Sequence, residues 1–453
     1  MFERPGRFHT GRATGAEDQE WQGVSGTTRH THNRHKSIFC ADDNHREEKQ
    51  MSDQKKPGIS RRDIIKGGAA AAGMVTASSF IPTRFAIGGT AKVKVGILLP
   101  YTGTYAKLGT NIKDALQLRI NEAGGKLGGR EVEYVNIDSE AAPPKAPELT
   151  NKLIKKEQVD FLVGPVHSVV GMAMVKLARN NGPITVIPNA GANGLTGKLC
   201  APNIFRTSFS SYQPGFPAGQ AMLEDGHKNV VVMYWNYGFG KETAAAFKAS
   251  FLAGGGNIVK EIPTPFPKVE FQAYLTEVAA LKPDAVFTFY AGGGAVKFVK
   301  DYAAAGLNKS IPLYGAGFLT EGVTGAQGEA AEGVRTTLHY ADTLDLPANH
   351  RFREAFLKAT GNQADVYAVQ GYDAGDLLIQ GMAAVDGDVG ARAEMIKAME
   401  SATIDSPRGK FTFSKAHNPI QDIYLREVVN GQNQVIRTVQ KAVEDPAEGC
   451  KIG

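Results

Sequence analysis

Val93-Lys94-Val95-Gly96-Ile97-Leu98-Leu99, followed by Pro100-Tyr101-Thr102-Gly103-Thr104-Tyr105, decides the fold. The first part is an apolar run of strand length, and the second is a turn rich in glycine and hydroxyl residues. Beyond it, at 110–123, Ile112, Ala115, Leu116 and Ile120 recur at helical spacing. The same order of strand, turn and helix returns at 132–137 with 146–156, and at 161–163, closed by Gly164-Pro165, with 169–180. A further strand at 184–187 stops at Pro188. Repeated βα winding of this kind buries its strands on both faces, so a parallel sheet is expected.

A break at 209–217 separates this unit from a second one of the same order. Its strands are read at 229–234, 257–262, 285–290 and 312–314, and its helices at 240–252, 271–281 and 295–305. After Gly333 come three helical patterns, at 347–360, 366–385 and 392–401. Strand-like segments follow at 409–413, 423–429 and 434–438, around an Asn430-Gly431 hairpin signal. The fold class is therefore α/β, with two doubly wound parallel-sheet units in succession.

A chain of 453 residues has room for both units, and 42% hydrophobic with 21% charged residues excludes a disordered or fibrous chain. The net charge of +5 sits mostly in the first 91 residues, which hold 14 Lys and Arg against 10 Asp and Glu; the remainder holds 37 against 36. A nucleic-acid binder is expected to keep a basic face on its folded part, so no nucleic-acid partner is expected.

Residues 1–50 are polar and carry His9, His30, His32, His35 and His45 without apolar periodicity; they read as a disordered tail or as sequence upstream of a true start at Met51. From Met51 the texture differs. Ser60-Arg61-Arg62-Asp63-Ile64-Ile65-Lys66 precedes an uncharged Gly/Ala-rich stretch at 67–83 and small residues at 84–91. This order of basic, weakly apolar and cleavable segments resembles a twin-arginine export signal spanning 51–91, cleaved around 86–91, and predicts a periplasmic protein. Cys40 lies upstream of that signal, in sequence expected to be discarded with it. Cys200 and Cys450 remain, and an oxidising compartment favours a disulfide between them over two free thiols.

In open parallel sheets a ligand sits beyond the carboxyl ends of the strands. The segments there are 100–105, 164–168 and 188–191 in the first unit, and Trp235-Asn236-Tyr237-Gly238, Tyr290-Ala291-Gly292-Gly293 and Gly315-Ala316-Gly317-Phe318 in the second. They offer backbone amides, hydroxyls and aromatic faces, which suit a small carboxylate better than catalysis. Ser168 stands beside His167 without the G-x-S-x-G spacing of a nucleophile elbow. Residues 292–297 lack the P-loop pattern, and no G-x-G-x-x-G follows the first strand. Neither an enzyme nor a cofactor is expected.

From Lys92 to about Thr438 the chain resembles the type I periplasmic binding proteins of the branched-chain amino acid transport family. The resemblance rests on Thr102-Gly103 with Gly109, Asp138 with Pro143-Pro144, Gly164-Pro165-Val166-His167-Ser168, and the stretch 188–196. It continues through Phe205-Arg206-Thr207, Tyr237-Gly238, Tyr372-Asp373-Ala374 and Pro407-Arg408-Gly409-Lys410-Phe411. It implies two lobes, 92–211 with 341–412 and 212–340 with 413–439, joined by a three-crossing hinge, followed by a tail at 440–453. Such a protein is a monomer that closes over a solute and hands it to a membrane ABC permease.

By position, Ser168 and the Asn189-Ala190-Gly191 turn match the family's carboxylate-binding loops, and Tyr237 matches an aromatic that the second lobe brings down. Where amino-acid binders of the family place an acid for the ligand ammonium, this chain has Phe318 and no acid until Glu321. A buried ammonium without a partner is costly, so a carboxylate ligand without an amine is expected, with an aromatic body against Tyr101, Tyr105, Trp235, Tyr237, Phe239, Tyr290 and Phe318. Leu108 and His167 complete the candidate site. A branched-chain amino acid ligand, or a sensor that presents its ligand to a signalling partner, are the alternatives. Each residue also has a plain structural reading: aromatics as core, His167 as a neutral buried ring, Ser168 as a helix cap, and Arg206 and Asp138 as structural polar groups.

Overall fold

The computed structural model describes residues 91–452; the readings of 1–50 and of the export signal lie outside them. The first sheet has six strands in the order β2-β3-β1-β4-β5-β6. These are β1 Val93–Leu99, β2 Lys126–Leu127, β3 Arg130–Asp138, β4 Phe161–Val163, β5 Ile184–Ile187 and β6 Ile204–Arg206. The second sheet runs β12-β13-β11-β10-β9-β7-β8, with β14 paired to β13. Its strands are β7 Asn229–Trp235, β8 Asn257–Thr264, β9 Ala285–Phe289, β10 Leu313–Ala316, β11 Arg335–Leu338, β12 Thr412–Phe413, β13 Pro419–Val429 and β14 Gln432–Val443.

Beside the first sheet lie α1 Ala106–Glu122, α2 Ala146–Asn151 and α3 Ser168–Ala178. With the second come α4 Tyr212–Glu224, α5 Gly238–Ala253, α6 Gln272–Leu281, α7 Gly292–Ala304 and the single turn α8 Thr324–Gln327. Then α9 Pro347–Thr360, α10 Val366–Ala383 and α11 Arg392–Glu400 return to the first half, where α10 lies along α1. The chain thus passes between halves after β6, after β11 and after α11. Each half is called a lobe below.

The sheets form for the reason the sequence announces. Every residue of β1 except Lys94 is buried, as a strand covered by helices on both faces requires. In α1 the apolar stripe Leu108, Ile112, Ala115, Leu116 and Ile120 faces inward, and Gly371 of α10 lets the two backbones meet: a Cβ there would stand 2.1 Å from the Ile112 carbonyl oxygen. Asn111 also donates to Asp365 at 2.7 Å, at the start of α10. This docking brings the first turn of α10 to the end of β1.

Both sheets share one topology. In the first, β1 pairs in parallel with β3 on one side and β4 on the other; in the second, β7 pairs with β8 and β9 in the same way. Chain direction across the sheet therefore reverses between β1 and β4, and between β7 and β9. Those two switch points are where an open α/β sheet leaves a crevice at its strand ends.

Several expectations shift. The break at 209–217 holds the first six residues of α4, because Pro214 falls in the first helical turn, where no intrahelical donor is lost, and Pro217 is tolerated inside it. Strands β6 and β11 are too short to show alternation. The helix expected at 146–156 is α-helical only to Asn151 and continues as one π-helical turn, Lys152–Lys156. The strand expected at 409–413 shrinks to β12, and β14 runs to Val443, past the expected limit at 439. Cys200 and Cys450 are joined in a disulfide with Cα atoms 5.5 Å apart, which fastens the segment after β14 to the first lobe. Among the described residues no helix is long and apolar enough to cross a membrane.

Candidate functional site

Between the two switch points lies a cleft with about 280 Å³ of empty space, part of it open to solvent. The first lobe contributes Tyr105 and Leu108 from the end of β1, Val166 and Ser168 from the end of β4, and Asn189 and Gly191 from the end of β5. The second contributes Tyr237 and Phe239 after β7, Phe289 and Ala291 at the end of β9, and Phe318 after β10. Phe209 enters from the first crossing, and Tyr367 from the first turn of α10. None of these lining residues carries a charge.

Polar groups gather in the first lobe. The amide of Ala192 donates to Ser168 Oγ at 3.2 Å, and Asn189 Nδ2 donates to Gln370 Oε1 at 2.7 Å. Gly191 N–H has no acceptor among the described residues, and a Cβ at Gly191 would stand 2.4 Å from the Phe239 ring, so glycine alone lets the loop reach the cleft wall. Ser168 opens α3, whose first amides lack helical partners and carry the positive end of the helix dipole, an arrangement that favours an anion.

Aromatic groups gather opposite. Phe318 packs on Phe209 at 4.6 Å and Phe239 on Phe289 at 4.5 Å between ring centroids. Across the cleft the Tyr105 and Tyr237 hydroxyls share a hydrogen bond of 2.9 Å, which draws the lobes together. The Tyr367 hydroxyl is buried and has no partner among the described residues. His167 stacks on Tyr237 at 4.6 Å, with neither ring nitrogen bonded among the described residues. Burial pulls its pKa down to about 4, so the ring is neutral at physiological pH.

Of the candidates read from sequence, Tyr105, Leu108, Ser168, Asn189, Gly191, Tyr237, Phe239 and Phe318 line the cleft. Five do not. Tyr101 lies on the rim of the first lobe, its hydroxyl 3.4 Å from Asn136 Oδ1 and its ring under Lys113. Trp235 and Tyr290 are fully buried and packed edge to face at 5.4 Å, and Tyr290 continues onto Phe271 and Phe298 in the helix layer. Ala190 spends its amide on the Pro165 carbonyl at 3.0 Å. His167 sits behind Tyr237 rather than on the wall. Sequence reasoning missed Val166, Phe209, Phe289, Ala291 and Tyr367 as lining residues. Phe289 and Tyr290 are adjacent and face opposite sides of the sheet, and only the register of β9 decides between them.

Two observations bear on the chemistry. Ser168 Oγ accepts from Ala192 and does not meet His167, so no nucleophile and base are paired here. Glu321, the acid that follows Phe318, is fully buried, pairs with Arg426 and accepts the amide of Val366 at 3.2 Å. Burial pushes its carboxyl up, against the pull of Arg426.

Residues 92–433 match the family model described as periplasmic binding protein. A solute-binding protein of an ABC transporter from R. palustris, solved in complex with benzoate, is 52% identical, with a TM-score of 0.78 over 80% of this chain and 100% of that one. A second, from Rhodopseudomonas palustris BisB5 in complex with 3,4-dihydroxybenzoic acid, is 31% identical, with a TM-score of 0.75 over 78% of this chain and 99% of that one. The Leu/Ile/Val-binding protein homolog 6 of Brucella melitensis is 33% identical over 363 residues, 77% of this chain and 92% of its own. With the family model spanning most of the chain and the two-sheet fold shared with these relatives, the chain belongs to the periplasmic binding proteins, as a solute-binding protein of the ABC transporter type.

Proposed function

We propose that this protein captures a small aromatic carboxylate, benzoate or a hydroxybenzoate, between its lobes and delivers it to an ABC permease after export to the periplasm. The observation that carries this reading is the fate of Glu321. Glu321, the first acid after Phe318 in the chain, is paired with Arg426, and the cleft lining is uncharged, so an α-ammonium would be buried without a partner at a cost of several kcal/mol. A carboxylate, by contrast, meets the Ser168 hydroxyl, the Gly191 amide and the start of α3. The rest of the ligand meets phenylalanine rings, which suit an aromatic body. The ligands of the two Rhodopseudomonas relatives have this chemistry.

The Brucella relative's name supports a second reading, a branched-chain amino acid ligand. Calorimetric titration separates the two. Benzoate or 4-hydroxybenzoate is expected to bind more tightly than leucine, isoleucine or valine. Tighter binding of any of the three amino acids than of every aromatic acid tried would reject the aromatic-acid reading.

A further inference from the structure

Arg206 ends β6 directly behind the polar corner and is fully buried. Its Nη1 donates to the Gly191 carbonyl at 3.0 Å and the Phe209 carbonyl at 2.8 Å; its Nη2 donates to the Ala192 carbonyl and to Thr196 Oγ1, both at 2.8 Å. Among the described residues no carboxylate lies within ion-pair distance of it. Glu242 and Asp445 face it only at longer range. Burial lowers its pKa to about 10, which still leaves it charged at neutral pH. A buried cation normally pairs with an acid, as Arg426 does with Glu321 and Arg408 with Asp373 at 3.3 Å.

Atom by atom, the bonds run from Arg206 toward the cleft. The Gly191 carbonyl that accepts from Arg206 belongs to the same peptide group as the Ala192 N–H, which donates to Ser168 Oγ at 3.2 Å. With Oγ accepting on that side, and no other side-chain bond at Ser168 among the described residues, its one proton is left to donate to the cleft. Each bond polarises the next, so the buried charge strengthens Ser168 as a donor. The neighbouring peptide carries a competing branch: Ala192 O accepts from Arg206, and Asn193 N–H donates to Glu242 of the second lobe at 2.6 Å.

We propose that Arg206 is a positioning residue for the ligand's charge: acting through the Gly191–Ala192 peptide and the Ser168 hydroxyl, it makes the cleft select a carboxylate over the isosteric neutral amide. The choice of probe rests on the aromatic-acid reading above. Benzoate and benzamide are titrated against the native protein and against Arg206→Gln, Arg206→Lys and Glu242→Gln, with the melting temperature of each recorded. Arg206→Gln is expected to weaken benzoate by about tenfold and benzamide by less than about twofold, while Arg206→Lys, which keeps the charge, retains most of the preference. A merely structural role would weaken both probes equally, and that result overturns the proposal.

If Arg206→Gln fails to fold, Glu242→Gln decides. Removing the competing acid is expected to raise the benzoate to benzamide ratio by about two- to threefold, and an unchanged ratio overturns the proposal. If the native protein takes leucine and no aromatic acid, the ligand reading fails and the relay is judged by leucine against leucinamide. A ratio that falls in Arg206→Gln upholds it, and an unchanged ratio rejects it.

Discussion

The two walls of the cleft occupy the same place in the same topology and present opposite chemistry. The first-lobe wall, after β1, β4 and β5, offers a hydroxyl, a carboxamide and a bare backbone amide, with Arg206 behind it. The second-lobe wall, after β7, β9 and β10, offers Tyr237, Phe239, Phe289 and Phe318. A switch point dictates where a ligand lies and says nothing of what it is. On the proposed reading, the difference between walls orients the solute, with its anionic end toward groups already fixed within the first lobe and its ring toward the second.

The strongest way to break this division is to place a charge on the aromatic wall. Phe318 is buried among Phe209, Phe239 and Tyr367. Phe318→Glu sets an acid in the cleft with a carboxylate ligand and should weaken benzoate binding by about 100-fold in calorimetry. A loss of less than about fivefold would mean that the ring lies elsewhere.

His167 joins the walls, being first-lobe in origin and stacked on Tyr237 of the second. Its folded pKa of about 4 lies below the ordinary 6.5, so between those values the unfolded chain binds the proton and the folded one does not. The stability this confers is complete above pH 6.5 and drains as pH falls toward 4, by about 2 kcal/mol from pH 6.5 to 5. Asp373, pushed up by burial to about 7, works in the opposite direction, so the test is a difference. Thermal melts of His167→Phe should lose less stability than the native protein across that interval, and parallel curves would assign the proton elsewhere.

Ser168→Ala removes the hydroxyl donor from the polar wall and should weaken benzoate by about tenfold, leaving the melting temperature of the ligand-free protein within a few degrees of native. Equal affinity would move the carboxylate away from α3. The smallest effect is expected from Tyr105→Phe, which deletes the 2.9 Å bond between walls. Affinity should fall by about threefold, mainly through faster dissociation in stopped-flow displacement.

Much of this was legible beforehand. Both βα units, the strand-end loops, and Ser168, Asn189, Gly191, Tyr237 and Phe318 follow from periodicity, turn residues and resemblance, because these signals are local. Trp235 and Tyr290 failed because an aromatic near a strand end has even odds of facing the crevice or the helix layer. Phe209 and Tyr367 carry no such local signal, because they reach the cleft from a crossing and from α10, away from the strand ends.

By itself the sequence determined a doubly wound α/β chain with carboxylate-suited loops, since a buried strand and an amphipathic helix each write their period into a few consecutive residues. Only the tertiary structure decided the charge balance of the site. Glu321 is silenced by an arginine 105 residues away, while Arg206 keeps its charge with no acid at contact distance among the described residues. Pairing between buried ions depends on desolvation and on distances set by the packing of whole lobes, and neither has a signature in the local order of residues.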